Sequence, residues 1–137
     1  MIKRSFHQII FGIALSMQFI ACGNAEDARP TSAQETGQQF IASSLKGDFK
    51  KAESLLLNEP DNKALFQTYR RFYDRMSDQQ RKGYQAASFE IEFWQDLNDS
   101  ISIIRYTNDF MHQPTELRLV RKNDLWWIDF RFTSTEK

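Results

Sequence analysis

Cysteine is almost missing from this chain: one residue in 137, at position 22, so no intramolecular disulfide can form and the lone thiol needs its own explanation. Histidine is nearly as scarce. Only His112 lies beyond the N-terminal segment, which leaves no histidine pair for a metal and no Ser-His-Asp set except one built on it. Beside the turn signal Gln113-Pro114, it reads as a surface or rim histidine. The glycines at 37, 47 and 83 stand too far apart for a phosphate-cradling loop. A cationic excess is also lacking: 18 Lys and Arg face 18 Asp and Glu, so no nucleic-acid partner is expected, because phosphate binding needs a clearly basic surface. Nor is there an apolar run of the roughly 20 residues that a membrane-spanning helix requires.

The carboxylates are absent from one place in particular: none occurs before Glu26. Lys3 and Arg4 followed by the apolar stretch Ile9 to Ala21 have the form of an export signal. The segment ends Phe19-Ile20-Ala21-Cys22-Gly23-Asn24. This resembles the lipobox of bacterial lipoproteins, in which a small residue precedes the cysteine that is diacylated and becomes the new N-terminus. The resemblance implies residues 1–21 as a signal peptide and Cys22 as the lipidation site. It also implies anchoring to a bacterial membrane, with Gly23 resembling the outer-membrane sorting pattern and the domain facing the periplasm. Several acyl chains hold such a protein permanently, since each buried methylene adds about 0.8 kcal/mol. Without the first 21 residues, sixteen cations face eighteen carboxylates, a mildly acidic balance suited to one domain. Small and polar residues over 22–31 read as a flexible tether, and residues 32–134 as a single α+β domain.

Helical period governs the first half of that domain. Ser32 and Glu35 have capping-box spacing, and Ala33, Gly37, Phe40, Ile41, Ser44 and Leu45 share a face up to Gly47. Asp48 caps a short helix with a stripe of Phe49, Ala52, Leu55 and Leu56, which Asn58-Glu59-Pro60 breaks. Asp61 is expected to cap a third helix whose stripe is Leu65, Tyr69, Phe72, Tyr73 and Met76. The run Tyr69 to Arg75 mixes basic and aromatic residues, but helical spacing sends its aromatics inward and its arginines to solvent. Ser77 and Gln80 form a second capping box that opens one further turn ending at Gly83.

The period then changes to two. Phe89, Ile91 and Phe93 alternate with Glu90, Glu92 and Trp94, and Asp96 to Asp99 turn the chain into a second strand over 100–111. A phase slip between Ile103 and Ile104 predicts a β-bulge there. Residues 116–122 and 125–133 form a hairpin about Asn123-Asp124, a pair suited to a type I′ turn. Its register sets Leu119 against Ile128, Leu117 against Phe130, Arg118 against Asp129 and Glu116 against Arg131. A tight turn at Gln113-Pro114 would extend the charged row to Asp109. Helices followed by an antiparallel meander give an α+β domain with the helices on one face of a bent four-stranded sheet.

Two runs carry a further resemblance. Gly37-Gln38-Gln39-Phe40-Ile41 through Leu45-Lys46-Gly47-Asp48-Phe49-Lys50-Lys51-Ala52, and Leu119 through Asp129 with Lys122-Asn123-Asp124-Leu125-Trp126-Trp127-Ile128, are similar to the opening and closing signatures of small lipoproteins in the nuclear-transport-factor-2-like superfamily, of the lumazine-binding-like branch. The resemblance covers about residues 32–132 and implies a cone-like, cystatin-like sheet closed by helices around an apolar cavity. Enzymes of the superfamily place Asp, Tyr or His in that cavity, and no motif here carries such a role over.

Candidate site residues follow from the expected register. Tyr69, Tyr73, Tyr106 and Trp126 point to the concave side, with Arg121 opposite Trp126. Arg121 would be either a cation-π and hydrogen-bond plug or the cation that orients an acidic ligand in an apolar pocket. Trp94, Val120, Leu125 and Trp127 on the outer face would make an apolar patch for an envelope protein or a membrane. Glu90 and Glu92 share a strand face and read as solvated rather than as an acid and base pair. No cofactor, metal or catalytic set is implied. The expected function is a non-catalytic, membrane-tethered binding module taking a protein partner or a small apolar or acidic ligand. The alternative is a small-molecule isomerase or dehydratase using the cavity, which would require a buried carboxylate of strongly raised pKa.

Overall fold

A computed structural model describes residues 28–135; the signal segment, Cys22 and the first part of the tether lie outside the described residues. Four helices precede four strands: α1 (Ala33–Lys46), α2 (Phe49–Ser54), α3 (Pro60–Asp74), α4 (Asp78–Ala86), then β1 (Phe89–Asn98), β2 (Ile101–Asn108), β3 (Thr115–Lys122) and β4 (Leu125–Thr135). The strands form one antiparallel sheet in the order β1-β2-β3-β4, and the helices pack on one of its faces, an α+β architecture. Among the described residues no helix is long and apolar enough to cross a membrane.

Local chemistry sets the helix ends. The Ser32 hydroxyl accepts from the Glu35 amide at 3.1 Å, and Gly47 closes α1 in the left-handed region at φ 77°. Asp48 caps α2 through the Lys51 amide at 3.1 Å. At Ser77 both halves of the capping box form with Gln80. Two expectations are corrected. Pro60 opens α3 instead of merely ending what precedes it, since a residue without an amide proton costs nothing at the first helical position, and Asp61 lies inside the helix. Helix α4 runs through Gly83 to Ala86.

The buried face of α3 is Asn62, Phe66 and Tyr73, with Tyr69 packed beside them, whereas Leu65 and Phe72 are exposed. Phe66 is fully buried and touches the rings of Phe40, Phe49, Tyr69 and Phe130. The sheet contributes Ile104, Leu117, Leu119 and Ile128, all at most 1% exposed. Gly37 lets α1 approach this layer closely: a Cβ there would press on Ile104.

The hairpin register agrees with expectation from Lys122–Leu125 back to Arg118–Asp129, and Asn123 and Asp124 have φ of 53° and 59°. Beyond that it slips. Glu116 stands opposite Ser134, so neither the Glu116–Arg131 nor the Leu117–Phe130 pair occurs. Arg131 instead donates to Asp129 at 2.8 and 3.0 Å, two residues away on the same strand face. Asp109 is absent from the charged row: the β2–β3 connection is longer than two residues, so Ile103 faces Arg118 and Asp109 accepts from the Ser88 amide at 2.9 Å.

A bulge lies in β1, between Ile91 and Phe93, and none lies between Ile103 and Ile104 of β2. One extra residue, Glu92, reverses the facing of Phe93 to Asp96, before a second irregularity between Asp96 and Asn98. Phe93 therefore pairs with Arg105 on the outer face, and Trp94 pairs with Ile104 and packs on the core.

The free edge of β4 is closed. Leu57 N–H donates to Ile128 O and Ile128 N–H to Leu55 O, both at 2.9 Å, a short parallel bridge after α2. Asn62 continues it, accepting from the Phe130 amide at 2.6 Å and donating to Leu57 O and Ile128 O at 2.8 and 3.0 Å. Arg29 extends the cover in the other direction, donating to Trp126 O at 3.1 Å and Ser54 O at 2.9 Å. Residues 29 and 30, expected in the tether, thus already belong to the packed domain, and Pro30 is buried.

Candidate functional site

A cavity of about 210 Å³ lies between the helices and the concave side of the sheet. Helix α1 supplies Phe40 and Ser44, α3 supplies Tyr69 and Phe72, and α4 supplies Tyr84. The strands and their turn complete it with Tyr106, Asn108, Met111, Gln113, Thr115, Phe130 and Thr133. No Asp, Glu, His, Lys or Arg is among these residues. At its rim Phe72 is 49% and Met111 37% exposed, so apolar side chains flank the opening.

Its walls are aromatic and braced. Tyr69 and Phe130 have ring centroids 5.9 Å apart, and Phe40 and Phe130 6.1 Å. Opposite them Tyr84 meets Phe110 edge-on at 5.5 Å. The rim loop is fixed by Asn108, whose side-chain oxygen accepts from the amides of Phe110 at 3.1 Å and Met111 at 2.8 Å. His112 follows in the left-handed region, exposed and outside this lining.

Tyrosine is the polar element of the cavity. The hydroxyls of Tyr69 and Tyr84 share a hydrogen bond of 2.6 Å, and Tyr106 bonds the Thr115 side chain. Burial pushes the phenol of Tyr69 well above its ordinary value, with Tyr84 adding to the shift. Burial also raises Tyr84 and Tyr106, in each case against a hydrogen bond acting the other way. At neutral pH these three groups are therefore protonated and serve as hydrogen-bonding hydroxyls.

A consequence for stability follows from the sign of those shifts. Below the unfolded value of about 10 the phenols are protonated whether or not the chain is folded; above it the unfolded chain loses protons that the folded chain keeps. Stability is full below that pH and falls as pH rises, by up to ~1.4 kcal/mol per pH unit for each held phenol. Urea unfolding at pH 9, 10 and 11 should show a steepening loss, and Tyr106→Phe should make it shallower. Equal midpoints at pH 9 and 11 would contradict the burial of these hydroxyls.

Of the five residues expected to line a pocket, the structure brings together Tyr69 and Tyr106 only. Tyr73 is buried in the adjoining core, edge-on to Phe49 at 4.9 Å, and accepts from Gln85 Nε2 at 2.6 Å. Trp126 packs on the core away from the cavity. Arg121 stands opposite Trp126 as expected, but its side chain is 45% exposed and meets Asp124 at 3.3 Å. At the last rungs of the hairpin a long side chain reaches water, so Arg121 is neither a plug nor the cation of a pocket.

Of the expected outer patch, Val120, Leu125 and Trp127 share one face and Trp94 does not join them. Trp94 is on the opposite face of the sheet. Val120, Leu125 and Trp127 are half-buried, and the Arg29 guanidinium lies 3.9 Å from the centre of the Trp127 ring, whose Nε1 donates to Lys122 O at 3.1 Å. The cation-π contact occupies the surface that a partner would need. Glu90 and Glu92 are exposed, as expected, and Glu92 also accepts from Arg105 at 2.9 Å, with Glu116 3.6 Å from the same guanidinium.

Sequence reasoning missed most of the lining: Phe40, Ser44, Phe72 as a rim residue, Tyr84, Asn108, Thr115, Phe130 and Thr133. Phe40 and Ser44 do share the apolar stripe of α1, one turn apart, and that was their only signal. Comparison of the chain with family models, curated proteins and solved structures returns no match.

Proposed function

We propose that this chain is a non-catalytic, lipid-tethered binding module of the bacterial cell envelope, and that its α+β domain takes a small molecule into the cavity beneath α1, α3 and α4. The observation that carries the reading is a cavity of about 210 Å³ with aromatic walls, apolar rim residues and no ionisable group other than tyrosine in its lining. Such a site can enclose and orient a ligand. The isomerase or dehydratase alternative asks for a carboxylate in the cavity, and none of the lining residues is one. The lipobox-like segment at Cys22 supports the tether, and the similarity to nuclear-transport-factor-2-like lipoproteins supports a ligand-holding cavity.

Both parts are open to test. In bacterial cells the full chain should fractionate with membranes and Cys22→Ser should release it to the soluble fraction; membrane retention of that variant would refute the tether. For the cavity, small neutral and charged molecules are scanned by thermal shift against the native domain and against Met111→Trp, which blocks the mouth from an exposed position. At least one class should stabilise the native domain alone. Equal responses from both proteins across every class would refute the cavity as a binding site.

A further inference from the structure

The packed chain begins at one end of the sheet, and the cavity opens at the other. Arg29 fixes the beginning: it donates to Trp126 O at 3.1 Å and Ser54 O at 2.9 Å, and its guanidinium lies 3.9 Å from the centre of the Trp127 ring. Trp126 pairs with Arg121 beside the Asn123-Asp124 turn, and the Arg121 amide donates to Ser100 O, which puts the β1–β2 turn at the same end. The cavity rim belongs to the far end of these strands. Tyr106, Thr115 and Thr135 make the last row across β2, β3 and β4, and the connection that carries Met111 and Gln113 leaves β2 beyond it.

Two lengths decide which end can reach a bilayer. Thr135 follows Trp126 by nine positions along β4, about 30 Å at the usual rise of a strand. Arg29 follows Cys22 by seven positions, which span at most about 25 Å whatever their conformation. With Cys22 acylated, a domain whose rim pressed on the bilayer would need Arg29 some ~30 Å above the surface, beyond the reach of that connection. With the hairpin end nearest the surface, the same connection has length to spare.

Charge does not reverse this preference. Arg70, Arg71 and Arg75 are exposed around Phe72 at the rim and would be drawn to an anionic leaflet, but that attraction fades over about 8 Å at physiological salt. At the hairpin end Arg121 is paired with Asp124 at 3.3 Å and Lys122 with Glu59 at 3.8 Å, so it is the short connection, and no basic patch, that keeps this end close.

We propose that the hairpin end faces the lipid surface that holds the chain and that the cavity opens away from it, so that its ligand arrives from the aqueous compartment and is not drawn from that bilayer. This orientation rests on the lipid tether and the binding cavity read above, and adds the side from which the cavity is filled.

The test uses the full lipidated chain in vesicles of phosphatidylethanolamine and phosphatidylglycerol, a fraction of whose headgroups carry an energy-acceptor dye. Acylated Cys22 has no free thiol, so a single introduced cysteine takes the donor dye: Asp99→Cys in the β1–β2 turn or Gln113→Cys at the rim, both exposed positions. Donor emission at position 99 should fall about twofold more than at position 113. Inserting about ten Gly and Ser residues between Asp27 and Ala28 should shrink that difference, because the connection then reaches past the length of the sheet. A charged, water-soluble maleimide should modify Gln113→Cys on vesicles as fast as in the soluble chain that also carries Cys22→Ser. Equal or greater loss of emission at position 113, in a chain that still floats with the vesicles, overturns the orientation and leaves the tether reading standing. A chain that does not float with them overturns both. A difference that the insertion leaves unchanged overturns the short connection as its cause, and a marked slowing of the maleimide on vesicles means that the rim is covered and overturns the aqueous route.

Discussion

Replacing Asn62 by alanine should lower the unfolding free energy by ~3–4 kcal/mol, a large part of the 5–15 kcal/mol that a domain of this size has. Asn62 is fully buried and spends both ends of its amide on backbone: its oxygen on the Phe130 amide, its nitrogen on the carbonyls of Leu57 and Ile128. The three losses are unequal. Leu57 O also accepts from Glu59 N–H and Ile128 O from Leu57 N–H, so each keeps a partner. The Phe130 amide, on the edge of β4, has no other, and orphaning a buried donor costs about 1–3 kcal/mol. The remainder comes from the gap left under Phe66 and from loosening of α3 against β4. In urea the midpoint should fall by ~2 M. Asn62→Asp should cost at least as much at pH 7, because an ionised oxygen would face two carbonyl oxygens, and should recover on acidification, which restores a donor. A loss under ~1 kcal/mol for the alanine variant would mean that the Phe130 amide finds another acceptor.

Asn62 also marks a limit of reading this chain without its fold. In α3 two apolar stripes overlap: Leu65, Tyr69, Phe72 and Met76 on one phase, and Phe66, Tyr69 and Tyr73 on another that begins at a polar residue. Hydrophobic period favours the first phase, yet the second is buried, because the edge of β4 needs an amide that only position 62 provides. A requirement set by residues nearly seventy positions away leaves no local trace. The same holds for Trp94, whose facing is decided by the bulge at Glu92. Where the determinants are local, the reading and the structure agree: the capping box at Ser77, the left-handed Gly47, and the Asn123-Asp124 turn with its adjoining register. The cavity divides in the same way. Tyr69 and Tyr106 follow from period and alternation, whereas Ser44 and Thr133 come to line one cavity only when α1 is laid against the sheet.

Gly47→Ala should destabilise the domain by ~2–4 kcal/mol from two separable causes. The residue ends α1 at φ 77°, where a side chain meets its own backbone at a cost of about 1–2 kcal/mol. A Cβ would also press on the Tyr73 hydroxyl and come within 2.8 Å of its ring carbon Cζ. Tyr73 cannot withdraw cheaply, being 5% exposed, held by Gln85 and wedged edge-on between Phe49 and Tyr84. The two costs separate in a double-mutant cycle. Tyr73→Phe removes the hydroxyl but leaves Cζ, so adding Gly47→Ala to it should cost ~1 kcal/mol less than in the native chain while the backbone penalty persists. Gly47→Asn tests the other half: asparagine accepts left-handed geometry more readily than alanine, yet its Cβ meets the same ring. If Asn restored full stability, the contact with Tyr73 would be of no consequence; if the cycle showed no coupling, the Tyr73 hydroxyl would contribute nothing to the effect. Because Tyr73 packs on Tyr84, which in turn bonds Tyr69, displacement of its ring should reach the cavity, and the thermal shift given by any small molecule that stabilises the native domain through the cavity should shrink in Gly47→Ala even where the domain remains folded.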